Sequence, residues 1–587
     1  MIDNCACREF LSIAYLLVRY KAAFGFQLEQ NSNFESTLST IIAMSVDYSS
    51  FLTTVPAGQL LAYAGAGIVA SIALLAAKYP DRAIFQDKRS DINSPKEWPL
   101  VVAFLLKCGD RGNTLLIYQS RCYATILLIY IGSLPSMAAA QAKLLDWMLQ
   151  HFQDHGPTWT FTALALPRNI LTADPRNLEH ILKNNFENYP KGPILFERMY
   201  EMMGHGIFNS DGPQWVYQRK TASHIFTVKN FRDWFTGVFV QHLNDMKNHV
   251  LDKVAESGAE VDLTDLMHKF TLDSFVQLGF GVHLGALRQD KLPFARAFDA
   301  VQAQTGYRLF SPFWKMEELF SRIFMPWKPS MEDHVKVIDN FAYNIIQQRR
   351  DDPEYESKND LLSRFMNALD NNGNPLSDKQ LRDVMMNFII AARDTTAQAL
   401  SWTFYRLALH PEVEEKLLAE ILEYVHEDMT PDELHEAVKK MKYAHAVFFE
   451  VLRFHPSVPL EQRYAFKDDV WPDGTQIKGG DVIGWCIYAQ GRLENLWGPD
   501  SLEFRPERWI VDGDLLKVSQ GHWPVFHGGP RLCLGKSLAI LECLVGLSFL
   551  VKQYRFALVP GQDITYMRSL TLPMKNGMRV HVQRRNL

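Results

Sequence analysis

The sequence predicts a mainly α-helical chain with small β-sheets. From about residue 165 to Leu407 apolar residues recur with helical spacing, with breaks at Pro190, Gly192, Asp211-Gly212-Pro213 and Asp370-Asn371-Asn372-Gly373. The spacing returns from Lys536 in KSLAILECLVGLSFLVKQY. Thr158 to Leu164, TWTFTAL, instead alternates with a period of two and reads as a strand. With 587 residues, 47% of them apolar and 22% charged, the chain suits one large core plus an anchor. A net charge of −5 argues against a nucleic-acid partner, which favours a basic excess. The seven cysteines are odd in number and scattered, with no CxxC pair, so neither a zinc site nor a disulfide framework is indicated.

Residues 1–50 form an N-terminal segment, lumenal or targeting; its apolar run Phe10 to Val18 is flanked by Arg8, Arg19 and Lys21. Between Asp47 and Lys78 no residue is charged, and Leu60 to Ala77 is apolar or small, which predicts a single transmembrane anchor over 51–78. Glu29, Glu35 and Asp47 precede it, whereas Lys78, Arg82, Lys88 and Arg89 follow, so the bulk of the chain is expected in the cytosol. Residues 79–142 hold a stiff connector, Ser94 to Leu100 with Pro95 and Pro99, and then an unusual insertion. Tyr123 to Gly132 is apolar but too short to span; it is either a membrane-dipping segment or translated non-coding sequence. The main domain is expected over 143–587. Within it, the acidic cluster at 370–373 has a misplaced glycine and lacks the bidentate glutamate of a calcium loop, so it predicts a turn.

Phe526-His527-Gly528-Gly529-Pro530-Arg531-Leu532-Cys533-Leu534-Gly535 is a loop suited to holding one sulfur still. A lone cysteine is more often a small buried hydrophobe. Here the glycines allow backbone N–H groups to point at the sulfur, Arg531 adds a positive charge, and a helix begins at Lys536, all of which favour a low-pKa thiolate. The pattern Phe-x-x-Gly-x-Arg-x-Cys-x-Gly resembles the haem-binding loop of cytochromes P-450. The resemblance implies that Cys533 is the axial ligand of haem b, that Phe526 packs beneath the haem, that Gly529 and Gly535 shape the loop, and that Arg531 reaches a propionate.

Other motifs follow in the same order as in that family. Trp215 and Arg219, one helical turn apart, resemble its propionate-binding Trp-x-x-x-Arg. Ala391-Ala392-Arg393-Asp394-Thr395, in the apolar run from Leu381 to Leu407, resembles its oxygen-activation motif, which gives proton handling to Asp394 and Thr395. Ala392 stands where glycine is commoner. Glu450, Arg453 and Arg508 resemble the buried Glu-Arg-Arg triad, and Arg463 is a further candidate for a propionate. The fold implied is the cytochrome P-450 fold.

Candidate nicotinamide fingerprints fail: Gly65 and Gly67 lie in the anchor, and Gly279, Gly281 and Gly285 have the wrong spacing. The resemblance therefore implies electrons from a separate NADPH-dependent cytochrome P-450 reductase and a single-pass protein of the endoplasmic reticulum. NFIIAARDTTA, GHGIFNSDG, LEFRPERW and PVFHGGPRLCLGK resemble fatty-acid and alkane omega-hydroxylases of plants and yeasts. The expected substrate is a long-chain fatty acid, with Phe208, Ile390, Ala391, Val458 and Leu460 as pocket residues. A fatty-acid hydroperoxide isomerase, and a hydroxylase of a sterol or terpenoid, stay open as alternatives.

Overall fold

A computed structural model of the chain describes residue 89, residues 91–94, 99–103 and 126–130 and, from 134 to 586, all but 163–165, 227–233, 359 and 372. The expected anchor at 51–78 and the segment before it lie outside the described residues. Among the described residues no helix is long and apolar enough to cross a membrane. Inside the expected insertion, Ile126–Tyr130 is a strand that pairs with Pro99–Ala103.

The helical spacing is realised in α1 (Gly212–Ser223), α2 (Leu263–Phe280), α3 (Pro293–Phe310), α4 (Trp314–Phe324), α5 (Asp378–Ile389), α6 (Thr395–Leu409), α7 (Lys442–Phe454) and α8 (Lys536–Gln553). Local chemistry sets their ends. Asp262 accepts from the N–H groups of Thr264 and Asp265 to start α2, which stops at Gly281, a left-handed residue with φ 64°. Ser377 and Gln380 form a capping box at α5, and Pro213 and Pro293 occupy the first turns of α1 and α3.

α5 and α6 are one helical run over 378–409, interrupted by a single π turn at Ile390–Asp394. Asp394 and Thr395 thus sit mid-helix, at a turn of the kind that loosens backbone bonding at functional sites. Both flanks are deeply buried: Leu381, Met385, Ala397, Leu400 and Trp402 belong to one continuous apolar core with residues of α2 and α8. α8 lies against α6 here: a Cβ at Gly546 would meet the Leu400 methyls at 3.6 and 3.7 Å, an ordinary packing distance.

Thr158–Phe161 is a strand, as its alternation predicts. It joins Asn169–Thr172, Val482–Cys486 and Leu460–Tyr464 in a four-stranded sheet, in that order. Asn169–Thr172 runs parallel to Val482–Cys486, and the outer pairs are antiparallel. Alternation along Leu460–Tyr464 sends Leu460 and Gln462 to one face and Glu461 and Arg463 to the other. The 370–373 cluster is a turn, in which the Gly373 N–H donates to the Asp370 carbonyl at 3.0 Å.

Candidate active site

The loop before α8 is closed by the Cys533 N–H donating to the Phe526 carbonyl at 2.8 Å. Gly529 has φ 58°, and a Cβ there would stand 1.9 Å from the Leu182 carbonyl oxygen, so no larger residue fits. The N–H groups of Gly535 and Lys536 point at the Cys533 sulfur. Arg219 of α1 donates to the Leu532 carbonyl at 2.6 Å and brings its charge beside the same sulfur. Burial pushes the Cys533 thiol up and outweighs these N–H groups and cations, so the free protein holds a thiol whose proton must leave when a metal binds. The sulfur is enclosed by protein, yet the side chain keeps accessible surface, as a residue lining an internal space does.

A cationic cluster adjoins the loop. Arg531 donates to the Asp211 carboxylate at 2.6 Å and stacks over Trp215 of α1, 4.5 Å from its ring centre. Its Nε is buried and makes no hydrogen bond. Arg463 donates to Glu461 at 3.2 Å and meets His527 Nε2 at 2.5 Å, while Lys191 reaches Glu461 at 3.4 Å. Burial and repulsion by Arg463 bring Lys191 down to about 7, Arg531 to about 10 and His527 to about 3. Arg219, Arg463 and Arg531, with Lys191 titrating near 7 among them, thus face only Asp211 and Glu461 among these partners, which leaves an excess of positive charge. An anionic ligand satisfies that surplus and the free Arg531 Nε.

Just after the π turn, the Thr395 hydroxyl donates to the Ala391 carbonyl at 2.5 Å, and the Thr395 carbonyl accepts from the Ser457 hydroxyl at 2.7 Å. Asp394 is buried and takes Arg393 Nη1 at 2.9 Å. Burial raises its carboxyl pKa, with Arg393 and His268 opposing.

Glu450, Arg453 and Arg508 meet. Arg453 donates to both oxygens of Glu450, at 2.9 and 2.7 Å, and Arg508 and the Trp509 indole add bonds of 3.2 and 2.9 Å. The Glu450 and Arg453 side chains are wholly buried, so the weak contribution of an exposed pair does not apply.

Comparison with known proteins settles the family. The Cytochrome P450 family model matches residues 124–578. Cytochrome P450 704C1 of Pinus taeda is 39% identical over 439 residues, 70% of this chain and 84% of that protein. Cytochrome P450 86B1 of Arabidopsis thaliana is 36% identical over 484 residues, covering 78% and 85%. Cytochrome P450 monooxygenase cyp1 of Mycosarcoma maydis is 32% identical over 528 residues, covering 86% and 77%. The chain belongs to the cytochrome P450 family. It is a haem-dependent monooxygenase supplied with electrons through a reductase. The match begins at residue 124, inside the stretch expected to depart from the family.

The donor set of this P450 fits haem b: one cysteine sulfur on a glycine-shaped loop, an excess of positive charge for the propionates, and Trp215 beside Arg531. The expected pocket residues divide. Ile390 is buried in the core, and Ala391 and Val458 are half-buried near Thr395. Leu460 lines a small cavity of about 20 Å³ with Met148, Phe161, Leu171, Leu309 and Phe310. Phe208 lines no part of that cavity and is 37% exposed; its N–H donates to Asn387 Oδ1 at 3.0 Å. Leu309 and Phe310, at the end of α3, were missed because helical spacing alone does not separate a cavity wall from ordinary core. Lys191 was missed for another reason: a lysine beside Pro190 carries no motif.

Proposed function

We propose that this P450 hydroxylates a long-chain fatty acid or similar lipid at or near its terminal carbon, with electrons from an NADPH-dependent cytochrome P450 reductase. The observation that carries the proposal is the resemblance of NFIIAARDTTA, GHGIFNSDG, LEFRPERW and PVFHGGPRLCLGK to fatty-acid and alkane omega-hydroxylases, and the small cavity at Leu460 is in keeping with an apolar substrate. None of its lining residues is charged; Asn169 and Gln462 supply its polar side chains.

In this reading Cys533 is the proximal ligand, with Phe526, Gly529 and Gly535 shaping its loop. Trp215, Arg219, Arg463 and Arg531 hold the two propionates. Haem bound through a thiolate supplies the chemistry that cleaves dioxygen and inserts one oxygen atom into a C–H bond. Asp394 and Thr395 move the protons that this cleavage consumes: Thr395 presents a hydroxyl just after the π turn, and Asp394, the residue before it, is a buried carboxyl whose pKa burial raises. Glu450, Arg453 and Arg508 lock the structure under the loop.

The catalytic domain works beside a membrane of the endoplasmic reticulum. Support comes from α4, where Met316, Leu319, Phe320 and Ile323 form one stripe, each more than half exposed, with Phe324 and Trp327 adjoining.

Turnover with reductase, NADPH and a panel of fatty acids, with the position of the hydroxyl analysed, tests the proposal. A terminal or near-terminal alcohol is expected. Mid-chain products overturn the terminal position, and hydroperoxide consumption without reductase overturns the hydroxylase in favour of an isomerase.

A further inference from the structure

Asp394 raises a question of supply. Its side chain is 2% exposed, so it has no direct exchange with solvent. Its Oδ2 makes no close hydrogen bond, and the nearby Gln302 amide, which also donates to Thr571 at 2.8 Å, cannot titrate. Two cationic or titratable side chains reach its carboxyl. One is Arg393, which is bridged at 2.6 Å to Asp299 and keeps its proton at any working pH. The other is His268 of α2, whose Nε2 lies 3.8 Å from Asp394 Oδ1.

We propose that His268 is the residue through which protons enter the active site, acting through Asp394. The geometry assigns each imidazole nitrogen a task. Nδ1 stands 2.8 Å from the Thr264 carbonyl, which can only accept, so Nδ1 carries a fixed hydrogen and Nε2 is the nitrogen that exchanges. The ring is 15% exposed, between solvent and a carboxyl that solvent does not reach. One turn further along α2, the Thr271 hydroxyl donates to the Arg393 carbonyl at 2.8 Å, which registers the helix on the π turn. Closing the gap from 3.8 Å to a hydrogen bond of about 2.8 Å takes about 1 Å, within reach of a rotation of the Asp394 carboxyl.

The step balances. Water gives a proton to Nε2, Nε2–H gives one to Asp394, and Asp394 releases one toward Thr395. Each group returns to its starting state, and no electron moves. The other charges facing this pair are the Asp265–Lys269 ion pair on α2 itself, at 2.8 Å, Arg393 on the π turn and Asp299 on α3.

The inference rests on the proton-handling role proposed for Asp394 and Thr395. The test uses the haem-loaded full chain with His268→Gln, Asp394→Asn and the double variant, and reads product and hydrogen peroxide per NADPH in H₂O and D₂O. A His268→Gln protein with an unchanged substrate-induced haem spectrum is expected to lose about tenfold in product per NADPH, with more peroxide and a larger solvent isotope effect. In the double variant no further loss beyond Asp394→Asn is expected, because the two groups act in series. Unchanged coupling, or losses that multiply, overturns the proposal.

A second readout needs no turnover. The infrared carboxyl band that disappears in Asp394→Asn is expected to shift in His268→Gln, or in His268→Tyr should the glutamine variant fold poorly. A band unmoved by either substitution also overturns the proposal. Absence of any lipid product in the unmutated enzyme would count against the substrate reading alone, and the infrared result would still decide the role of His268.

Discussion

Glu450 shows how much one buried carboxylate can carry. Besides the triad and the Trp509 indole it accepts the Arg505 N–H at 2.9 Å, while Arg453 extends to the carbonyls of Ser501 and Glu503 at 2.6 and 2.9 Å. Glu450→Gln keeps the shape but leaves the buried Arg453 guanidinium without its charge partner, Arg508 still having Asp500 at 3.0 Å, a loss of about 3–5 kcal/mol. The expected outcome is a protein that retains little haem, measured by the reduced-CO spectrum per mole of chain. Lys191 makes a prediction about pH. Its folded pKa of about 7 lies below the ordinary lysine value of about 10.4. Between those values the unfolded chain binds a proton that the folded chain does not, so stability of the haem-free protein rises with pH from about 7 to about 10. Thermal unfolding across that window should show the rise, and Lys191→Met should flatten it.

Among the elements, α4 is the one whose sequence and surroundings disagree most. None of its residues is buried, although its apolar stripe is as regular as that of a core helix. It directly follows Leu309 and Phe310, which line the cavity, so a membrane covering the stripe would bring lipid close to the cavity. A polarity-sensitive fluorophore attached through Leu319→Cys should shift to the blue on phospholipid vesicles. The same label at Arg322→Cys, off the stripe, should not. The comparison holds whether or not residues 51–78 also anchor the chain, because each label reports only its own surroundings. Two labels that behave alike would remove α4 as support for membrane contact.

At the scale of the whole molecule, the parts legible in the sequence are those whose chemistry is local. The Cys533 loop and the Glu450–Arg453 pair reveal themselves because glycine placement and helical spacing fix geometry within about ten residues. Asp394 and Thr395 were placed mid-helix correctly, but the π turn at Ile390–Asp394 was not foreseen, because it depends on how α2 meets that stretch and leaves no compositional mark. The rise that burial gives the Cys533 thiol leaves no mark in the sequence either: charge and glycine are visible along a chain, whereas burial is a property of the packed whole. The cation cluster has the same character, since it draws Lys191 from the turn before Gly192, Arg219 from α1, Arg463 from the sheet and Arg531 from the loop. Four separate pieces of chain therefore bring together positive charge that Asp211 and Glu461 offset in part and that an anionic ligand would offset further. Haem b should raise the unfolding temperature of the haem-free protein, by the mass-action stabilisation that any ligand of the folded state confers. Haem with both propionates esterified keeps the iron, the ring and the bond to Cys533 but offers the cluster no charge. It should bind at least about tenfold more weakly, each lost charge-assisted contact being worth about 1.5–3 kcal/mol. Competition between the two porphyrins in a Soret titration measures the difference; equal affinity would mean that the four cations serve some purpose other than holding the propionates.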